Sequence, residues 1–128
     1  MRVNSRGQAA VEYVVLMIFL LGFIIMAALP VVRENELNQA VAAAREATIE
    51  YAALNPDVYS TGVAYSGEET GTVTLSLKLF SFKDNAQVTP IPQPLQFLAV
   101  ERIRIAVNGV KIIGRDCVEA ASFDYCVV

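Results

Sequence analysis

The sequence predicts an α+β chain in which one long N-terminal helix precedes a small antiparallel β-sheet. Three observations carry this reading. Residues 13–32 are twenty consecutive positions without a charge, in a chain of 128 residues. Beyond them Leu37, Val41, Ala44, Thr48 and Tyr51 recur at alternating spacings of four and three, a narrow helical stripe. After Asp57 the period falls to two: Val73, Leu75 and Leu77 alternate with Thr72, Thr74, Ser76 and Lys78, and Leu79 extends the apolar row. Asn55-Pro56 divides the two regimes, because the residue before a proline is pushed out of the helical region.

Composition narrows the function classes. Hydrophobic residues make up 55% of the chain and charged ones 18%, which is more apolar and less charged than an ordinary soluble domain. A net charge of −3 lacks the basic face of a nucleic-acid binder, so no nucleic-acid partner is expected. There is no histidine, hence neither the commonest general base nor the commonest transition-metal ligand. Gly-rich phosphate loops, Gly-x-Ser-x-Gly elbows, calcium loops and internal repeats are all missing from the sequence. Catalytic residues, metal ligands and cofactors are therefore expected to be none, and the chain is not expected to be an enzyme.

The apolar run YVVLMIFLLGFIIMAALPVV is long enough to cross a hydrocarbon core of ~30 Å. Arg2 and Arg6 flank its N-terminal side, whereas Arg33 on the other side is mixed with Glu34 and Glu36. The positive-inside rule leaves the N-terminus in the cytoplasm and exports the chain beyond Val32. A cleaved secretory signal is the competing reading, with Ala27-Ala28-Leu29-Pro30 imitating a cleavage site. Against it, the helical stripe continues past Val32 through a segment rich in Ala and Glu, both good helix formers. One helix over 8–54, ~70 Å long, fits best. Pro30 removes a backbone donor and crowds the carbonyl of Met26, so a bend or loosened turn is expected there. Gly22 is either simply tolerated or marks the close approach of another helix.

Glu12 is a carboxylate at the cytoplasmic end of the apolar run, where burial in lipid would cost ~2.5–3.5 kcal/mol. The plain reading is an interface marker among headgroups. The sharper one supplies a partner: a cut between Gly7 and Gln8 creates a positive amine one helical turn away from it.

These residues carry a resemblance. SRGQAAVEY followed by about twenty apolar residues resembles the class III signal peptide of type IV pilin-like proteins, especially archaeal pilins and archaellins. Bacterial Tad-type pseudopilins share a similar opening. The resemblance covers residues 6–32. It implies a leader of residues 1–7, removed by a membrane prepilin peptidase between Gly7 and Gln8, and it makes Glu12 the residue that registers incoming subunits. It also implies a type IV pilin-like fold, self-assembly into a helical homopolymer on an assembly platform, and passage from the membrane to an extracellular filament.

The exported domain is expected to span 55–128. Arg102-Ile103-Arg104-Ile105-Ala106-Val107 alternates like a strand, and Asn108-Gly109 before Val110-Lys111-Ile112-Ile113 is a strong hairpin signal. Residues 58–65 and 123–128 are weaker strand candidates, punctuated by Gly62, Gly67, Gly71 and Gly114. Pro90, Pro92 and Pro94 make 88–95 extended and unfit for a central strand. Four or five antiparallel strands are expected, with one face free to pack on the helix. Cys117 and Cys126 are the only cysteines, nine residues apart. Export favours a disulfide, worth about 3 kcal/mol in the chain-entropy treatment. Two reduced buried thiols are the alternative, and a zinc site would be incomplete without histidine.

Two functional expectations result. One is a structural subunit of a pilus-like filament, its β domain on the surface for adhesion or cell contact. The other is a membrane-anchored minor pseudopilin or binding module of a secretion machine. A secreted soluble protein stands behind both.

Overall fold

The structure is a computed structural model that describes residues 5–128; the first four residues of the expected leader, Arg2 among them, lie outside the described residues. The elements run in the order α1 (Ser5–Leu54), β1 (Val58–Ser66), a 3-10 turn (Glu68–Thr70), β2 (Thr72–Ser81), α2 (Gln93–Ala106), β3 (Val110–Lys111), β4 (Cys117–Glu119) and β5 (Asp124–Val127). The architecture is α+β. The chain divides into two compact units, one reaching to Glu34 and the other Asn35–Val128.

The first unit consists of the N-terminal part of α1. The described chain is helical from Ser5, so Gly7 and Gln8 already lie within the helix, and Pro30 lies inside it without ending it.

The second unit holds the core. Its sheet has the order β1-β2-β5-β4-β3. Val73, Leu75, Leu77 and Leu79 of β2 are buried, and Tyr125, Val127 and Val118 continue the same core. Onto it pack Leu37, Ala40, Ala44 and Ala47 of α1, where alanines let the backbone approach closely, and Leu95, Ala99, Val100 and Ile103 of α2. The stripe read from the sequence is there, rotated slightly: Leu37, Ala44 and Thr48 are buried, Val41 and Tyr51 half-buried. Thr48 resolves its own buried hydroxyl by donating to the Ala44 carbonyl at 2.7 Å.

Four sequence expectations need correction. The sheet is mostly but not wholly antiparallel: β5 inserts between β2 and β4 and runs parallel to β2. A parallel pair needs a long crossover, and the segment from β2 to β5 supplies it through α2. The second correction is α2 itself. Residues 102–107 do not form a strand: α2 runs through Ala106 and Val107 caps it, because their alternation is also part of a helical pattern that starts upstream. Leu95, Ala99 and Ile103 are buried at spacings of four, with Val100 beside them, while Ile105 is exposed. The proline run does not stay extended either. Pro92 caps α2 and Pro94 occupies its first turn, where no intrahelical N–H is needed.

Asn108-Gly109 is accordingly a helix stop and not a hairpin turn. Asn108 takes the left-handed conformation with φ of 54°. The Asn108 N–H donates to Ile105 O at 3.4 Å and the Gly109 N–H to Arg104 O at 3.0 Å, a Schellman cap. The residue after Asn108 has to be small. A Cβ on Gly109 would sit 2.6 Å from Val118 Cγ1 and 2.7 Å from Glu119 O.

Candidate functional site

The sequence directs attention to the first unit, and its exposure is its chief property. Every large apolar side chain in residues 11–32 is exposed, with Phe19, Phe23 and Met26 each at least 75% accessible. None of the apolar stretch of α1 is buried within the protein. In water each such side chain forgoes ~1.5–3 kcal/mol of burial. The helix already satisfies its own backbone groups, which is what a lipid or protein interior demands. By length and composition, α1 is able to cross a membrane.

At the start of this surface Glu12 is exposed, and its Oε1 accepts a hydrogen bond from Gln8 Nε2 at 3.4 Å, one turn back. Gly7 has open space around it: a Cβ there would meet nothing within 4 Å. The fold therefore gives no packing reason for glycine at position 7, although glycine in a helix costs about 1 kcal/mol relative to alanine. Gly22 is equally open. Gly7, Gln8 and Glu12 are thus brought onto one short helical stretch, with Pro30 farther along the same helix.

Cys117 and Cys126 lie far along the chain and belong to the second unit. They are register partners on adjacent antiparallel strands and are joined by a disulfide. Among the described residues no group of His, Cys, Asp or Glu is arranged to hold a metal ion.

The sequence reading missed the best-built polar cluster. Glu36, which the sequence places in a charged flank, is 8% exposed. Its carboxylate accepts from the Ser122 N–H at 3.2 Å, the Phe123 N–H at 3.3 Å and the Tyr125 hydroxyl at 3.0 Å. Burial, foremost, raises the Tyr125 phenol above its ordinary value, and the hydrogen bond to Glu36 and that carboxylate's charge add to the effect. Glu36 precedes Leu37 and stands four residues before Ala40 on the buried side of the helix, a position that marks it as inward-facing once the alanines are included. A second tie is more exposed: Arg102 of α2 reaches Glu50 at 2.6 Å and Glu46 at 3.5 Å on α1. Neither cluster has the open space or unpaired groups of a reaction centre. They fasten the second part of α1 to the sheet domain.

No known protein-family profile, curated protein or solved structure matches the chain.

Proposed function

We propose that the chain is the precursor of a filament subunit of the type IV pilin-like kind. It is held in the membrane by its apolar helix and polymerises through that helix once residues 1–7 are removed. The observation that carries this is that every residue of 11–32 is exposed, on a helix that continues into a well-packed core at Leu37. Such a surface is stable only in lipid or among other apolar helices, and a filament core lets it pass from one to the other. A cleaved secretory signal would be discarded and need not be continuous with the folded domain. The unexplained glycine at position 7 supports a role outside the chain's own packing, as the residue a prepilin peptidase reads.

In this reading cleavage frees the Gln8 amine, positive below a pKa of roughly 7.7–8.0. As a subunit enters the growing base, that amine pairs with Glu12 of its neighbour. Contacts repeated head to tail without closing yield an open filament, with the β domain outermost for adhesion or cell contact. Electron microscopy of cells overproducing the chain, with Gly7→Trp beside it, tests the proposal. Filaments from the parent and a full-size membrane-bound precursor from the variant are expected. Filaments of normal yield from Gly7→Trp would refute the cleavage assignment.

A further inference from the structure

The sheet has two edges of different character. One is β3, only two residues long and carrying Lys111, a short charged edge of the kind that resists strand addition. The other is β1, nine residues reading VYSTGVAYS, with neither charge nor proline, and it pairs only with β2. Its one irregularity is the register shift between Ser60 and Gly62.

Charges of opposite sign stand along this open edge, one beside its middle and the others just beyond its far end. Beside its first half a cleft of about 270 Å³ is lined by Arg45, Ile49, Ser60, Thr61 and Gly62. Arg45 forms no ion pair among the described residues, in contrast to Arg102 and Arg104. Its helical neighbours one turn away, Val41, Ala42, Thr48 and Ile49, include no acid. Just beyond the other end, Glu68 and Glu69 form the exposed 3-10 turn between two left-handed glycines, Gly67 and Gly71. They too make no ion pair among the described residues.

We infer that β1 is a docking edge for β1 of a second copy of this chain, antiparallel about a two-fold axis, with Glu68 and Glu69 of each copy seated at the Arg45 cleft of the other. Antiparallel pairing brings the start of one strand to the end of its partner. A two-fold between Ala64 and Tyr65 sets Thr61 of one copy level with Glu68 of the other, so the complementary charges meet twice. Isologous contacts have this self-complementary form. In this register residues 63–66 of the two strands pair and satisfy each other's open backbone groups, and Tyr65, 46% exposed, adds apolar area. The contact closes on itself, so it joins two copies of the chain and is distinct from any head-to-tail contact of polymer growth. All of it lies within Asn35–Val128 and does not depend on the filament reading.

The test is the dimer dissociation constant of the full chain in mild detergent, followed by light scattering over a dilution series. Arg45→Glu and the pair Glu68→Arg with Glu69→Arg are each compared with the parent. Each reversal changes the contact at two places and is expected to raise the constant at least about tenfold. Combining all three substitutions is expected to restore it to within about threefold. Arg45→Gln, with an intact disulfide as the folding control, is expected to fall between parent and reversal. A monomeric parent, or reversals that leave the constant unchanged, would overturn the inference. So would a combined variant as weak as the single reversals.

Discussion

The hydroxyl of Tyr125, on a strand near the end of the chain, donates to the carboxylate of Glu36 on α1 at 3.0 Å. Both Ser122 and Phe123 donate their backbone N–H groups to the same carboxylate. Hydrogen bonds to an ionised acceptor are stronger than neutral ones, and these converge where little water competes. Removing the acceptor strands several donors, whereas removing the phenol leaves the carboxylate its backbone partners. Glu36→Ala is therefore expected to cost about 2–4 kcal/mol and Tyr125→Phe about 1.5–3 kcal/mol, with the former the larger. Urea unfolding followed by tyrosine emission measures both, since the chain has no tryptophan. Equal stability of Glu36→Ala and the parent would remove the clamp from the account.

Alkaline stability tests the same pair. The Tyr125 phenol is raised above its ordinary 10.0 when folded, so the unfolded chain loses that proton first. Its contribution is whole below about pH 10 and declines as pH climbs from there toward the folded value. Urea midpoints measured from pH 9 upward should fall, and fall less steeply in Tyr125→Phe. A parallel fall in parent and variant would show that other groups control alkaline unfolding.

At the end of α2, Gly109→Ala should destabilise by about 1–3 kcal/mol, because the new methyl collides with Val118 and a backbone carbonyl. Asn108→Gly should be nearly neutral, since glycine adopts the left-handed conformation at least as readily as asparagine. If Asn108→Gly proved the more harmful, the asparagine side chain would have a role beyond its backbone angle.

Legibility in the sequence depends on how local each signal is. The α1 helix and β2 were readable because their apolar spacing is long, regular and matched to one period. The segment 102–107 was misread because Arg-Ile-Arg-Ile alternates on too short a stretch to separate a period of two from one of 3.6. The proof of helix lay upstream, in Leu95 and Ala99. Asn-Gly misled for a related reason: both a hairpin and a Schellman cap need a residue at positive φ, and the pair suits either. The parallel placement of β5 is a long-range choice that no short motif announces. Glu36 was overlooked because a glutamate beside Arg33 and Glu34 looks solvated until its partners 86 to 89 residues away are known. For Gly7, Gln8 and Glu12 the order of residue types suggests the roles proposed for them, and the fold adds that glycine at position 7 meets no neighbour.

The role proposed for Glu12 separates it from its ordinary surroundings. Its partner within the chain is the amide of Gln8 at 3.4 Å, an exposed contact of little energetic weight. Glu12→Gln should leave membrane insertion and leader removal intact while filament yield falls at least about tenfold, because it strands the neighbour's amine; breaking such a buried pair typically costs ~3–5 kcal/mol. Sheared filament mass per cell, set against the processed fraction in membranes, reads the two effects separately. Normal filament yield from Glu12→Gln would reduce the carboxylate to an interface marker.

The most direct test of the filament account is the intact mass of the chain taken from sheared extracellular material and analysed without reduction. The account predicts a single species beginning at Gln8, two hydrogens lighter than its fully reduced form. A chain beginning near Pro30, or one still carrying residues 1–7, would contradict it.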